Sequence, residues 1–485
     1  MKRRRSEPAL LALDLGTSSV RSALFDENAE VVPGSRASAE YRVRHSADHG
    51  AELDPALVLR ATRKCLRLTN SPVEIVAGSG FWHSLLGLDE NANPLTPIYT
   101  WADSRGAADA ARLRAEFDER TIQQRTGCML RASFWPAKLL WLRRTDRQLF
   151  RRVARWVSPA EWIFEEVFGV RTCSHSMASG TGLYDFARHD WDRELVERCS
   201  VQPEQLNPLR DQVASYFSAI GDGAASNLGS GAARAGVVAI NVGTSAAVRA
   251  VPAEKTPLPF GLFRYVVDER RGLLGGAISN AGNLRAWCVR ELRLAQDDRA
   301  IEKLLRAAEG RAGRLTVLPF WVNERAPTWP ENLESAILGL AQTTSAAEIL
   351  HATTAATCHR LAEIFDQLAH ALGRVRQIVV SGGILQSPAS LQILANSLGR
   401  ELTVCADQEA SLRGAAVHAL ERLGARISPP AYAKAIAPDR GKIGAARQAR
   451  RRQVALERVM MEAATILPLA PAARGRKAGA LSRNK

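Results

Sequence analysis

Two short turns constrain this chain more than any other feature. Asp14-Leu15-Gly16-Thr17-Ser18 and Asn241-Val242-Gly243-Thr244-Ser245 each follow an apolar run and each join a glycine to hydroxyl residues. Their threonines, Thr17 and Thr244, stand 227 positions apart. A turn of this kind offers converging backbone N–H groups and hydroxyl donors, which suit phosphate oxygens, and its glycine allows an approach that a side chain would block. Either copy alone reads equally well as a plain hairpin turn. Together they predict a duplicated unit closing on one shared nucleotide, and hence phosphoryl transfer. The G-x-x-x-x-G-K-[ST] loop is absent, so P-loop chemistry is not expected.

The rest of the chain repeats the same grammar. At 485 residues it exceeds what one hydrophobic core normally supports, which predicts two domains. Apolar runs at 10–14 and 20–25 flank the first turn, a helical pattern covers 54–69, and a buried strand over 73–80 leads to Phe81-Trp82-His83. After Asp222 the pattern restarts, with strands over 236–242 and 247–251 and further strand-like runs at 263–268 and 272–278. A long helix over 345–372, a strand over 375–381, the turn Gly382-Gly383 and helices over 388–398 and 409–423 follow. Strand, hairpin and strand followed by alternating helices and strands, occurring twice, predict an α/β duplication rather than a helical bundle.

The net charge of +15 is concentrated at the ends. Residues 431–485 contribute +10 and residues 1–7 contribute +3, whereas residues 8–430 hold 48 basic against 46 acidic side chains. A nearly neutral body predicts no specific nucleic-acid partner; the ends read as solvated tails, with a basic helix over 440–461 and a disordered stretch from Pro471. Seven scattered cysteines with no C-x-x-C pair indicate neither a disulfide framework nor a thiolate zinc site, and fit a reducing cytoplasm. The basic start Met1–Arg5 is followed by an apolar run that Asp14 interrupts, and no stretch is long enough to span a bilayer. The expected partner is a small molecule, and a homodimer is compatible with the sequence.

Several side chains offer chemistry. Asp14 ends its strand where it reads either as a magnesium ligand beside phosphates or as a carboxylate capping the hairpin. Asp222, in Gly221-Asp222-Gly223, reads either as a general base for a substrate hydroxyl or as a surface Asp-Gly turn. Gly382-Gly383 precedes a helix and reads as a seat for adenosine or phosphate, or as a simple strand-to-helix turn. His83, Trp101, Asp103 and Arg105 flank the expected cleft of the first domain. Asp and His suit sugar hydroxyls, and Arg105 can clamp a carboxylate or equally pair with Asp103. His351 and His359 share a helix face without a carboxylate to complete a metal set, and read as structural.

Taken in order, these segments resemble the FGGY carbohydrate kinases, especially the gluconokinase-like and xylulokinase-like branches. The likeness runs through about residues 9–425 and is carried by Leu13–Ser18, Trp101-Ala102-Asp103-Ser104-Arg105, Gly221–Asn227, Asn241–Ser245, Leu318-Pro319-Phe320, Glu324-Arg325-Ala326-Pro327, Ser381-Gly382-Gly383 and Glu409–Ala416. The resemblance implies two actin-like, ribonuclease-H-like domains, at 8–246 and 247–430, around a cleft, with a basic extension at 431–485. It implies magnesium-ATP against the second domain and a sugar or sugar acid against the first. By family role Asp222 is the base and Asp14 acts near magnesium. Gly16, Thr17, Ser18, Gly243 and Thr244 hold phosphates, and Gly382, Gly383 and Asn396 border the nucleotide. His83, Trp101, Asp103, Arg105 and Asp222 meet the acceptor, and Arg105 or His83 is the expected partner of a gluconate carboxylate. A pentulose such as xylulose is the alternative acceptor. Departures from the family pattern at Leu333-Glu334-Ser335, Thr354-Ala355-Ala356 and Asn396 leave open a non-catalytic protein that binds nucleotide and sugar.

Overall fold

The computed structural model describes residues 9–466 apart from 70–72, 296, 332, 408 and 434. The first apolar runs form β1 (Leu10–Leu15) and β2 (Ser19–Phe25), an antiparallel hairpin with Asp14 opposite Arg21. Both strands are buried along nearly their whole length, as befits strands covered on both faces. β3 (Ala37–Glu40) alternates buried and exposed residues. α1 (Pro55–Thr69) turns Val58, Ala61 and Cys65 inward and returns the chain to β4 (Ile75–Gly80), which lies parallel to β1. β5 (Gln212–Val213) and β6 (Tyr216–Gly221) complete a six-stranded sheet in the order β5-β6-β4-β1-β2-β3. The long insertion between β4 and β5 has an apolar core of its own around Trp135, Leu139 and Trp156.

The second sheet contains β7 (Val237–Val242), β8 (Ala246–Ala250), β9 (Phe263–Asp268), β10 (Arg271–Ile278), β11 (Gln377–Ser381) and β12 (Thr403–Val404). Its order is β9-β10-β8-β7-β11-β12. Without the outer strands β5 and β9, each sheet has three antiparallel strands followed by two parallel ones. The expected duplication is therefore present strand for strand, and each Gly-Thr-Ser turn closes the central hairpin of its sheet.

Two helices lock the halves together. α2 (Asp222–Gly229) follows β6, and α6 (Ala410–Arg422) follows the α3 (Gly282–Glu291), α4 (Ala346–Leu372) and α5 (Pro388–Leu398) helices of the second half. α2 and α6 cross backbone to backbone at Gly229 and Gly414. Ala415, Ala416 and Ala419 of α6 join the same core as Leu13 and Val20, so a helix late in the sequence completes the first domain.

The C-terminal extension differs from the expected solvated tail. α7 (Arg440–Ile466) is a docked helix: Leu456, Met460 and Ala464 pack against Leu318, Phe320 and Leu333, and Gln453 and Glu457 are buried. Two of its basic residues meet carboxylates of neighbouring elements, Arg450 meeting Asp366 at 2.7 Å and Lys442 meeting Glu309 at 2.7 Å. The stretch expected to be disordered, from Pro471, lies outside the described residues, as does Met1–Arg5. Among the described residues no helix is long and apolar enough to cross a membrane, and the seven cysteines are free and buried.

A Cβ at Gly414 would stand 1.7 Å from the Ala225 carbonyl oxygen. Gly414→Ala is expected to force the two helices apart at a cost of about 1–3 kcal/mol or more. Thermal unfolding checks this; an unchanged Tm would mean that the crossing has room to spare.

Candidate active site

β6 delivers Asp222 to the first position of α2, where unpaired helix N–H groups favour a negative charge. One carboxylate oxygen accepts from the Gly223 N–H at 2.7 Å. The flanking glycines are dictated by packing. A Cβ at Gly221 would lie 1.8 Å from the Trp82 ring, and one at Gly223 would lie 2.7 Å from both Trp82 and the Arg249 guanidinium. Trp82 is in turn fixed by its indole N–H, which donates to the Ser176 carbonyl at 2.9 Å. Burial holds the Asp222 pKa above the ordinary carboxylate value, while Arg249, the Gly223 N–H and Arg325, in that order, pull it down.

A cavity of about 110 Å³ opens beside Asp222 and is walled by both halves. Trp82, His83 and Trp101 come from the first half; Asn241, Arg249, Tyr265 and Arg325 come from the second. Arg249, on β8, has a buried Nε with no hydrogen-bond partner among the described residues. Arg325 donates from Nε to Ser279 Oγ at 3.1 Å and from Nη2 to the Ile278 carbonyl at 3.0 Å, and its guanidinium lies 4.5 Å from the centre of the Trp101 ring. Burial pushes the Arg325 pKa down to about 10 and lowers that of Arg249. Two cations thus face the same space as Asp222. Neither was among the residues expected to meet the acceptor. A lone arginine within the apolar run Ala246–Val251 is the sequence signal that marks Arg249.

His83 reaches this cavity with its backbone at φ 66°, its Nδ1 paired with the Gly180 carbonyl at 2.5 Å. Burial pushes its pKa down to about 3, so the imidazole is neutral. Trp101 links the cavity to the first turn, donating from its indole N–H to Thr17 Oγ1 at 3.2 Å.

The two turns are related but differ by one residue in length, the first lying between the paired Leu15 and Val20 and the second between Val242 and Ala246. Gly16 N–H bonds to the Ser19 carbonyl and Gly243 N–H to the Ser245 carbonyl, each at 2.9 Å. Asp14 lies opposite Ser79 on the parallel neighbour β4 and accepts from its hydroxyl, and Asn241 lies opposite Ser381 on β11 and donates to its hydroxyl at 3.0 Å. Asp14 is buried, which raises its pKa; Ser79 and Arg21 oppose the rise and the charge of Asp222 adds to it. Arg21 stands 3.5 Å from Asp14 and 3.1 Å from Glu409.

A second cavity, of about 600 Å³, lies against the second turn. Gly243, Thr244, Gly282, Asn283, Gly383 and Ser387 line it together with apolar residues that include Leu284, Leu361 and Ile384. The start of α3 is laced to the turn, Gly282 N–H donating to the Gly243 carbonyl at 2.9 Å. Gly382 has φ +90°, and a Cβ there would come 2.6 Å from the Val242 carbonyl oxygen, so only glycine fits.

Three expected residues stand elsewhere. Asp103 accepts from the Ala51 N–H at 3.0 Å and holds Arg105, whose Nη2 also meets Glu52 at 2.6 Å. With its fork filled by two carboxylates and its plane 4.4 Å from the Trp141 ring centre, Arg105 is a structural cation of the first domain rather than a free carboxylate clamp. Asn396 lines a separate cavity of about 420 Å³ beside α7, accepting from the Asp439 N–H at 2.8 Å and from Gln392 at 3.0 Å.

Comparison with known proteins gives a consistent picture. The family model for the N-terminal domain of the FGGY family of carbohydrate kinases matches residues 9–244, and that for the C-terminal domain matches residues 238–421. The chain is 25% identical to a gluconokinase from Bacillus subtilis, with 86% of this chain and 88% of that protein covered. It is 21% identical to a xylulose kinase from Staphylococcus xylosus, with 84% and 89% covered. The solved structure of gluconate kinase from Lactobacillus acidophilus superposes with a TM-score of 0.83 at 22% identity, covering 93% of this chain and 98% of that one.

The depressed His83 pKa has a definite sign. Below about pH 6.5 the unfolded chain takes up a proton that the folded imidazole refuses, so the contribution of His83 to stability is full above pH 6.5 and is lost as the pH falls toward 3. Ring-nitrogen NMR should find His83 neutral at pH 5; a titration near pH 6.5 would contradict the buried placement.

Proposed function

Because the chain belongs to the FGGY family of carbohydrate kinases, we infer that it transfers the terminal phosphate of ATP to the terminal hydroxyl of a sugar acid, with gluconate as the foremost acceptor. The observation that carries this reading is Asp222, its pKa held up by burial, facing the unpartnered Nε of Arg249 in a small cavity walled by both halves. The acceptor hydroxyl hydrogen-bonds to the Asp222 carboxylate. As its oxygen attacks phosphorus, the carboxylate takes the proton, a new P–O bond forms and the bond to the ADP oxygen breaks.

The cations divide the remaining work. The Arg249 guanidinium crowds Gly223, the residue next to Asp222, which supports Arg249 at the reacting end, and Arg325, over Trp101, is left for the far end of the acceptor. The Arg325 guanidinium is stacked on Trp101 with its Nε–Nη2 edge taken by Ser279 and the Ile278 carbonyl, which leaves its Nη1 side to meet a carboxylate. A neutral His83 suits a sugar hydroxyl. The similarity to gluconokinase from Bacillus subtilis supports the sugar-acid reading. His83 and the similarity to xylulose kinases support a pentulose acceptor as the second reading.

The nucleotide assignment rests on the fit of the second cavity, whose apolar wall and flanking hydroxyls suit a nucleoside and whose crowded glycines suit phosphates. No group of three or more His, Cys, Asp or Glu side chains gathers to hold a metal among the described residues. Asp14 alone fits magnesium, which keeps several waters and takes one or two carboxylates beside phosphate oxygens. Magnesium held there would supply charge neutralisation to those oxygens.

A coupled ADP-release assay with magnesium tests gluconate, xylulose, ribulose and glycerol. Gluconate is expected to give the highest kcat/KM, and no turnover across the panel would sink the reading. Asp222→Asn is expected to lower kcat by roughly 10²–10⁴-fold while calorimetry still detects ATP binding. Unchanged turnover would remove Asp222 from the base role. Arg325→Met is expected to raise KM for gluconate by about ten- to a hundred-fold, as for loss of a charged hydrogen bond. An equal rise for xylulose would argue against a carboxylate contact.

A further inference from the structure

The match to the family model for the C-terminal domain ends at residue 421, and α7 beyond it inserts a carboxylate into the second domain. Arg360, on α4, is fully buried. Its Nη1 meets Glu457 of α7 at 2.6 Å, and its Nη2 donates to the Ala326 carbonyl at 2.9 Å and to Thr328 Oγ1 at 3.2 Å. The other Glu457 oxygen accepts from the Thr328 hydroxyl. Glu457, Arg360 and Thr328 therefore clamp the segment that directly follows Arg325. On the other side of Arg325, Glu324 accepts from the Arg325 N–H at 2.8 Å, the Ser279 N–H at 2.6 Å and Asn280 at 3.0 Å. Arg325 itself leans over Trp101 into the Asp222 cavity.

We propose that Glu457 is a positioning residue for Arg325, acting through Arg360 and the 324–328 segment, so that the terminal helix sets the acceptor end of the active site. The proposal rests on the assignment of Arg325 to the acceptor. A buried guanidinium deprived of its carboxylate is left uncompensated, which favours a shift toward a neighbouring acid. Glu363, on the same helix at 3.8 Å, is the next nearest, and Glu324 already interacts electrostatically with Arg360. Recruiting Glu324 would loosen the hydrogen bonds that seat Arg325. The docking of α7 itself depends on the apolar contacts of Leu456, Met460 and Ala464, which a change of charge at Glu457 leaves in place.

The test uses the full-length protein labelled with 5-fluorotryptophan, the Trp101 resonance being assigned with Trp101→Phe. Glu457→Gln is expected to shift the Trp101 resonance while that of Trp162, in the core of the first domain, stays put. In the ADP-release assay it should raise KM for gluconate about tenfold, equivalent to about 1.4 kcal/mol, with KM for ATP within about twofold of wild type. The double variant Arg360→Met/Glu457→Leu replaces the buried pair by apolar side chains and guards against simple unfolding. It should melt cooperatively yet displace Trp101 in the same way, because the Ala326 carbonyl has lost its donor. An unmoved Trp101 resonance in both variants overturns the proposal. So does a parallel loss of gluconate and ATP affinity that tracks a lowered Tm, since that marks a merely structural helix. If Arg325→Met leaves gluconate binding unchanged, the acceptor assignment fails, and the Trp101 resonance still decides whether Glu457 positions Arg325.

Discussion

Two carboxylates buried within electrostatic reach of each other set the terms for this molecule. Burial raises the pKa of Asp14 and of Asp222, and the charge of Asp222 raises that of Asp14 further. Negative charge gathered in a poorly hydrated cleft persists only beside compensating cations. Those cations arrive from three places: Arg21 on β2, Arg249 on β8 and Arg325 on the segment after β10. No single sheet carries all three. The close crossing of α2 and α6, which allows no side chain at Gly229 or Gly414, holds the two sheets near enough for one site to use both.

Local patterns made most of the fold readable in the sequence. The hairpins around Gly16 and Gly243 are contiguous, so apolar runs broken by a glycine turn mark them directly, and the helices over Ala346–Leu372 and Pro388–Leu398 fall where periodicity places them. Asp222 stands out in the sequence because the glycines that make room for Trp82 flank it in the chain. The cations of the site do not. Arg105 lies within a family motif and its pairing with Asp103 was open in the sequence, but its second partner is Glu52, 53 residues away, which no local pattern records. Arg249 and Arg325 gain their roles only when β8 and the segment after β10 meet the end of β6, which is a property of sheet packing. Asn396 stands apart for a related reason: it lies on α5, accepts from the Asp439 N–H and lines the cavity beside α7.

The terminal helix shows how charge counting misleads. Thirteen Lys and Arg residues against three Asp and Glu residues over 431–485 describe a solvated tail on average, yet one of those three acids, Glu457, is nearly fully buried against Arg360. The apolar stripe of Leu456, Met460 and Ala464 is spaced for a helix face and finds Leu333, which belongs to a stretch where this chain departs from the family pattern. The terminal helix and the altered stretch are thus two sides of one contact.

The duplicated five-strand core is alike in topology but not in charge, and the difference has chemical content. Each central hairpin places a polar residue two positions before its glycine and opposite a serine on the parallel neighbour: Asp14 with Ser79, Asn241 with Ser381. The amide stands on the turn that borders the 600 Å³ cavity, where the proposed nucleotide brings its own negative charge and a carboxylate would repel it. The carboxylate stands on the other turn, where Arg21 is at hand and where a cation accompanying the phosphates is attracted. One scaffold used twice thereby yields two unlike surfaces, and exchanging the acid and the amide would retain the fold while reversing the electrostatic polarity on which the proposed transfer depends.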